Sequence, residues 1–205
     1  MENLKTGDVV LFSSNYSGFW GYISKMIKWS TDSPYTHVGM VLKDPTFINP
    51  SLKGLYLWQS GKEVVLDAEE QTHKFGVQIT PLRDVIEEYK RNGGTVYYRS
   101  IDCDISWCFD DNHLAELHKI VHNKPYDIYA RDWIEAFFRK DHKPQKDNRF
   151  WCSAFVGYIY TKCGILEEDI DWSILRPSDF SLEYDNQFLY FKNGYKLEPL
   201  EIELW

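Results

Sequence analysis

The residue best suited to chemistry is Cys152. It stands in Phe150-Trp151-Cys152-Ser153-Ala154-Phe155-Val156-Gly157-Tyr158-Ile159-Tyr160, which reads as the first turns of a buried helix. A thiol at a helix start meets unpaired backbone N–H groups and the positive end of the peptide dipoles. Both favour thiolate, the form that attacks a carbonyl carbon. Far upstream, Thr36-His37-Val38-Gly39-Met40-Val41-Leu42 reads as a strand and offers His37 as a base. Strand side chains alternate, so His37 shares a face with Gly39 and Val41, and Gly39 leaves space beside the imidazole. On the next expected strand, Leu55 to Ser60, Gln59 is placed to accept the Nδ1 proton and leave Nε2 facing the sulfur. Glu63 and Asp67 compete for that orienting role. The oxyanion donors would be the N–H of Cys152 and one further group, with Tyr35 a candidate.

These residues need elements to hold them. Val9 to Phe12 reads as a short buried strand after Gly7-Asp8. Phe19 to Trp29 has the apolar spacing of an amphipathic helix. Gly61-Lys62 is expected to turn the chain into a strand over Glu63 to Leu66, and Val77 to Ile79 forms another. Thr80-Pro81 reads as a hydroxyl cap and first-turn proline for a helix running to about Arg91. Gly93-Gly94 closes that helix, and a strand over Thr95 to Arg99 follows. Asp111 is expected to cap a helix whose apolar face is Leu114, Leu117, Ile120 and Val121. Ala130 to Phe138 is expected to be helical, and Arg139 to Arg149 reads as an exposed charged loop. Asn193-Gly194, between Phe188 to Phe191 and Tyr195 to Leu197, signals a hairpin.

At 205 residues and 43% hydrophobic, the chain can bury one substantial core, and one domain over 1–205 is expected. A net charge of -8 argues against nucleic acid as the main partner. No stretch reaches the length of a membrane span and Met1 to Lys5 is no secretion signal. The expectation is a cytoplasmic protein, or one packaged in a virion if the source is viral. Cys103, Cys108, Cys152 and Cys163 form no CxxC pair, so neither a disulfide framework nor a structural zinc site is expected. His113, His118 and His122 share one helix, with 118 and 122 a turn apart. No carboxylate completes them as in HExxH, so they read as a solvated helix face. Trp20, Tyr22 and Trp29 could reach a lipid or an acyl chain, although core packing is the commoner use of such residues.

Four short pieces follow in order: Lys5-Thr6-Gly7-Asp8-Val9-Val10-Leu11-Phe12, Tyr35 to Val41, Lys124-Pro125-Tyr126-Asp127, and Trp151 to Val156. Together they resemble the circularly permuted papain-like thiol hydrolases, the NlpC-type superfamily, in its YiiX-like branch with poxvirus and giant-virus relatives. The resemblance implies an α+β fold in which a small, mainly antiparallel sheet packs against helices including the nucleophile helix. It also implies Cys152 as nucleophile and His37 as base. Relatives often carry Glu-Ala where this chain has Gln59-Ser60. An amide can orient an imidazole but cannot stabilise imidazolium by charge. Tyr35, Tyr126 and Ser153 are candidate substrate-binding groups. The expected activity is a cysteine hydrolase acting on a peptide, small-molecule or acyl-amide substrate, with no cofactor and no metal. The alternatives are a thiol acyltransferase or lipid hydrolase with peripheral lipid contact, and an inactive binding module.

Overall fold

The computed structural model describes residues 3–14, 33–62, 64–127, 147–185 and 187–204. The expected helices over 19–29 and 130–138, Glu63, and most of the charged 139–149 run lie outside the described residues. One six-stranded sheet organises what is described. Its strands are β1 (Val9–Ser13), β2 (His37–Lys43), β3 (Leu55–Lys62), β4 (Phe75–Pro81), β5 (Thr95–Arg99) and, after a two-stranded pair formed by β6 (Ile101–Asp102) and β7 (Lys196–Leu197), β8 (Ile202–Glu203). They lie in the order β4-β3-β2-β1-β5-β8, and every pairing is antiparallel. The architecture is α+β, as expected in general terms.

Alternation along the strands divides the core between two faces. Val9, Leu11, Val38, Met40, Leu42 and Trp58 pack with helix Cys152–Lys162. Val10, Phe12, Val41 and Leu57 pack with the opposite helix, α1 (Leu82–Arg91), through Leu82, Val85, Ile86 and Tyr89. Helix α2 (Asp111–Val121) and α3 (Cys152–Lys162) both lie on the first face. Residues 152–161 are all buried, so α3 is a core helix rather than an amphipathic one. The described residues include no helix long and apolar enough to cross a membrane.

Several local expectations are corrected. Thr80 does not cap α1. Strand β4 runs through Pro81, Thr80 pairs with Leu57, and its side chain is therefore held on the sheet face. Gly61-Lys62 does not turn the chain, because β3 continues to Lys62 opposite Phe75. Val64 and Leu66 are then exposed loop residues rather than strand. Asp110, one residue earlier than expected, caps α2 by accepting the N–H groups of Asn112 and His113. Ile120 faces solvent. Asn193 and Gly194 do make a tight turn with left-handed backbone (φ 53 and 74°). Its flanks find other partners: Phe191 bridges Leu166, and Lys196–Leu197 pair with Ile101–Asp102.

One buried cation was not legible in the sequence. Arg99 is fully enclosed and donates to the carbonyls of Phe180, Ser181, Leu197 and Glu198 while pairing with Asp185. It ties the C-terminal segment to the sheet.

Candidate active site

Cys152 is the first residue of α3, with Trp151 in extended conformation at the cap position. The N-terminus of the helix is tied to the sheet by Ser60, whose hydroxyl donates to the Phe150 carbonyl at 2.7 Å. Ser153 donates its hydroxyl to the Leu175 carbonyl at 2.7 Å and is 1% exposed. Ser153 is therefore an anchor of the helix and not an open substrate contact.

His37 opens β2, and Phe12 is its register partner on β1, with the two rings 5.5 Å apart. Its Nε2 lies 2.5 Å from Oε1 of Gln59. The amide of Gln59 is oriented in turn, because its nitrogen donates to Thr80 Oγ1 at 3.1 Å. With the amide oxygen facing the ring, Nε2–H is the donor and Nδ1 carries the lone pair. The expected roles of the two nitrogens are thus exchanged: Gln59 holds Nε2, and Nδ1 is the basic atom. Asp67, a competing orienter, is occupied elsewhere. Its buried carboxylate accepts the N–H groups of Glu69, Glu70 and Ile79.

The space for the imidazole comes from an unexpected glycine. A Cβ on Gly61 would lie 3.0 Å from His37 Cε1. A Cβ on Gly39 would instead meet Leu57 Cδ1 at 2.7 Å, so Gly39 admits a core leucine rather than opening a channel. Both follow from the β2–β3 register, in which Met40 pairs with Trp58.

That ladder ends at Met40–Trp58, while β3 goes on to pair with β4 as far as Lys62. The β2–β3 seam is therefore without ladder pairs beside His37, Val38 and Gly39. Cys152 faces this seam from the α3 side, where the backbone N–H of Val38 interacts with its sulfur. His37 belongs to the opposite face by alternation, with Phe12 and Val41. The two groups thus occupy the same end of β2 from its two sides, and among the described residues no hydrogen bond joins them.

Burial decides their charge. It pushes the Cys152 thiol up to about 11, against the N–H groups of Val38, Ser153 and Cys152 and the Ser153 hydroxyl, all of which favour thiolate. It lowers His37 to about 4, opposed by the bond to Gln59. The helix-start donors expected to yield a thiolate are present, but desolvation outweighs them. Both groups rest neutral near pH 7.

The other sequence candidates separate. Tyr126 is packed beside the site: its ring stacks on Phe75 at 5.0 Å, and burial, then the nearby Cys152, raise its hydroxyl well above the usual range. Tyr35 is not an oxyanion donor, since its hydroxyl donates to Glu201 at 2.5 Å and its ring meets Tyr97 edge-on. Two of the other cysteines are held as thiols as well. Cys103 is raised to about 12 and Cys163 higher still, both chiefly by burial. No protein-family model matches the chain, nor does any curated protein match it.

Proposed function

We propose that the chain is a cysteine hydrolase of the permuted papain-like type, cleaving an amide or peptide bond with Cys152 as nucleophile and His37 as base. The observation that carries this is the Thr80–Gln59–His37 relay, which leaves Nδ1 unprotonated one residue from the N–H that meets the Cys152 sulfur. A base oriented by a third group and a thiol at a helix start are the parts nucleophilic catalysis requires, and both reach the same end of β2, from its two sides. Catalysis requires ring and sulfur to come together when substrate binds, and the unladdered seam between β2 and β3 is where they would close.

Because both groups start neutral, the proton moves from Sγ to Nδ1 as sulfur attacks the carbonyl carbon. The carbonyl π electrons move to oxygen, where the Cys152 N–H is the nearest backbone donor. Collapse of the tetrahedral adduct expels the amine, which takes the proton from Nδ1 and leaves a thioester on Cys152. Water then adds with His37 as base, releasing acid and thiol. Gln59 steers the ring throughout but supplies no charge, in keeping with a neutral resting pair.

One observation favours a second reading, a binding module on the same fold: Cys152 and His37 are only 5% and 9% exposed. Incubation with cell extract followed by mass spectrometry separates the two. An acyl adduct on Cys152, absent from Cys152→Ala and diminished in His37→Ala, supports the hydrolase. Absence of any adduct, together with faster alkylation of Cys103, Cys108 or Cys163 than of Cys152, overturns it.

A further inference from the structure

The histidines of α2 do have a carboxylate partner, supplied by a different element. Glu69, in the loop between β3 and β4, places Oε2 2.8 Å from His118 Nε2 and 3.6 Å from His122 Nδ1. One ligand atom from each of the three residues lies within 4.8 Å of the other two. Around a zinc ion with bonds of about 2.0–2.2 Å, tetrahedral neighbours stand about 3.3–3.5 Å apart. The 3.6 Å spacing already matches, and the 2.8 Å spacing opens to it by a small outward shift of the Glu69 carboxylate.

A second observation points the same way. The remaining nitrogen of His122, Nε2, is 3.1 Å from Glu70 Oε1. That bond assigns the proton to Nε2 and turns the Nδ1 lone pair towards Glu69 and His118. A carboxylate behind a histidine is how metal-binding imidazoles are oriented and made more basic. Glu70 is itself held by Asn123 Nδ2 at 2.7 Å and Lys74 at 3.4 Å.

The backbone is prepared as well. The buried carboxylate of Asp67 accepts the N–H groups of Glu69 (3.1 Å) and Glu70 (2.9 Å) with one oxygen and that of Ile79 with the other. The loop carrying both glutamates is thereby fixed to β4. On the other side, His118 lies in the last turn of α2 and His122 caps its C-terminus, with the His122 N–H donating to the His118 carbonyl at 2.8 Å. His118 is mostly enclosed, its ring 6.2 Å from Trp58, so it is not part of a solvated face.

We propose that Glu69, His118 and His122 bind a divalent transition-metal ion, zinc foremost, through Oε2, Nε2 and Nδ1, with Glu70 positioning His122. Two imidazoles and one carboxylate suit zinc better than magnesium or calcium, which prefer all-oxygen shells. Three protein ligands leave a fourth position for water. The ion would pin the β3–β4 loop to the end of α2, independently of any chemistry at Cys152.

The test is metal uptake by the full chain after chelator treatment and desalting. Zn²⁺ is titrated against a chromophoric chelator, and Co²⁺ is added separately to read its d–d absorption. One equivalent of Zn²⁺ per chain is expected, with a tetrahedral Co²⁺ spectrum and a rise in Tm on zinc addition. His118→Ala and Glu69→Gln should lose the site, and Glu70→Gln should weaken it about tenfold or more. His113→Ala, whose imidazole contacts the Lys162 carbonyl instead, should retain it. The proposal is overturned if the wild-type chain takes up no stoichiometric Zn²⁺. It is equally overturned if uptake survives in a folded His118→Ala/His122→Ala variant or disappears in Cys152→Ala.

Discussion

Nε2 of His37 donates to Oε1 of Gln59 across 2.5 Å, and the Gln59 amide nitrogen donates in turn to Thr80 Oγ1 at 3.1 Å. One tautomer is selected by three side chains on three adjacent strands. Replacing Gln59 with Glu puts a negative charge at the same point and should raise the His37 titration well above about 4. Gln59→Ala should lower the rate of Cys152 acylation by roughly 10²-fold, the lower range for loss of a positioned base. Imidazole NMR and single-turnover kinetics read the two effects. An unchanged His37 titration in Gln59→Glu would show that the pair is not in contact.

Stability should fall on both sides of neutrality, for opposite reasons. His37 titrates at about 4 when folded against 6.5 normally, so the unfolded chain takes up its proton first. The stability this group contributes is complete above pH 6.5 and is lost as pH falls towards 4, roughly 3 kcal/mol in all. Cys152 is raised from 9.0 to about 11. Its contribution is complete below pH 9 and is lost as pH rises towards 11, again roughly 3 kcal/mol. Urea unfolding across pH, compared with His37→Gln and Cys152→Ser, isolates each limb. A wild-type acid limb no steeper than that of His37→Gln would contradict the neutral, enclosed imidazole.

The same thiol should alkylate slowly at pH 7. Its rate with iodoacetamide should rise about tenfold per pH unit up to the thiol's own titration. A plateau already at neutral pH would mean that an ion pair, rather than a neutral pair, is the resting state.

Two glycines on neighbouring strands should respond differently to alanine. At Gly61 the new Cβ would meet His37 Cε1 at 3.0 Å, displacing the ring by a few tenths of an ångström. Activity should drop while the urea midpoint barely moves. At Gly39 it would meet Leu57 Cδ1 at 2.7 Å inside the core, costing about 1–3 kcal/mol as overpacked sites do. Parallel unfolding and labelling assays on both variants compare them, and equal effects on Cys152 labelling would remove Gly61 from the site.

Arg99→Ala should destabilise the chain by about 3–5 kcal/mol, as removal of one partner from a buried charged network does. It strips donors from four carbonyls and leaves Asp185 unpaired with it. Chemical denaturation measures this, and a loss under about 1 kcal/mol, the range of a surface ion pair, would refute it.

Local signals in the chain were enough for the α+β class, five of the sheet's six strands, the helix beginning at Cys152 and the pairing of His37 with Gln59. Alternating and helical periodicities are written in neighbouring residues, and period two alone puts His37 and Gln59 on matching faces once their strands are adjacent. What remained hidden depends on register and on partners far along the chain. Gly61 became the imidazole's neighbour only through the Met40–Trp58 register, and Thr80 exchanged a helix cap for the Gln59 amide because β4 ran on to Pro81. Burial reversed the expected thiolate, since desolvation is a property of the assembled core and not of a helix start. Glu69 reached His118 across the fold for the same reason: ligand sets are assembled by tertiary contact, and no spacing within one helix reveals a carboxylate brought in from another element.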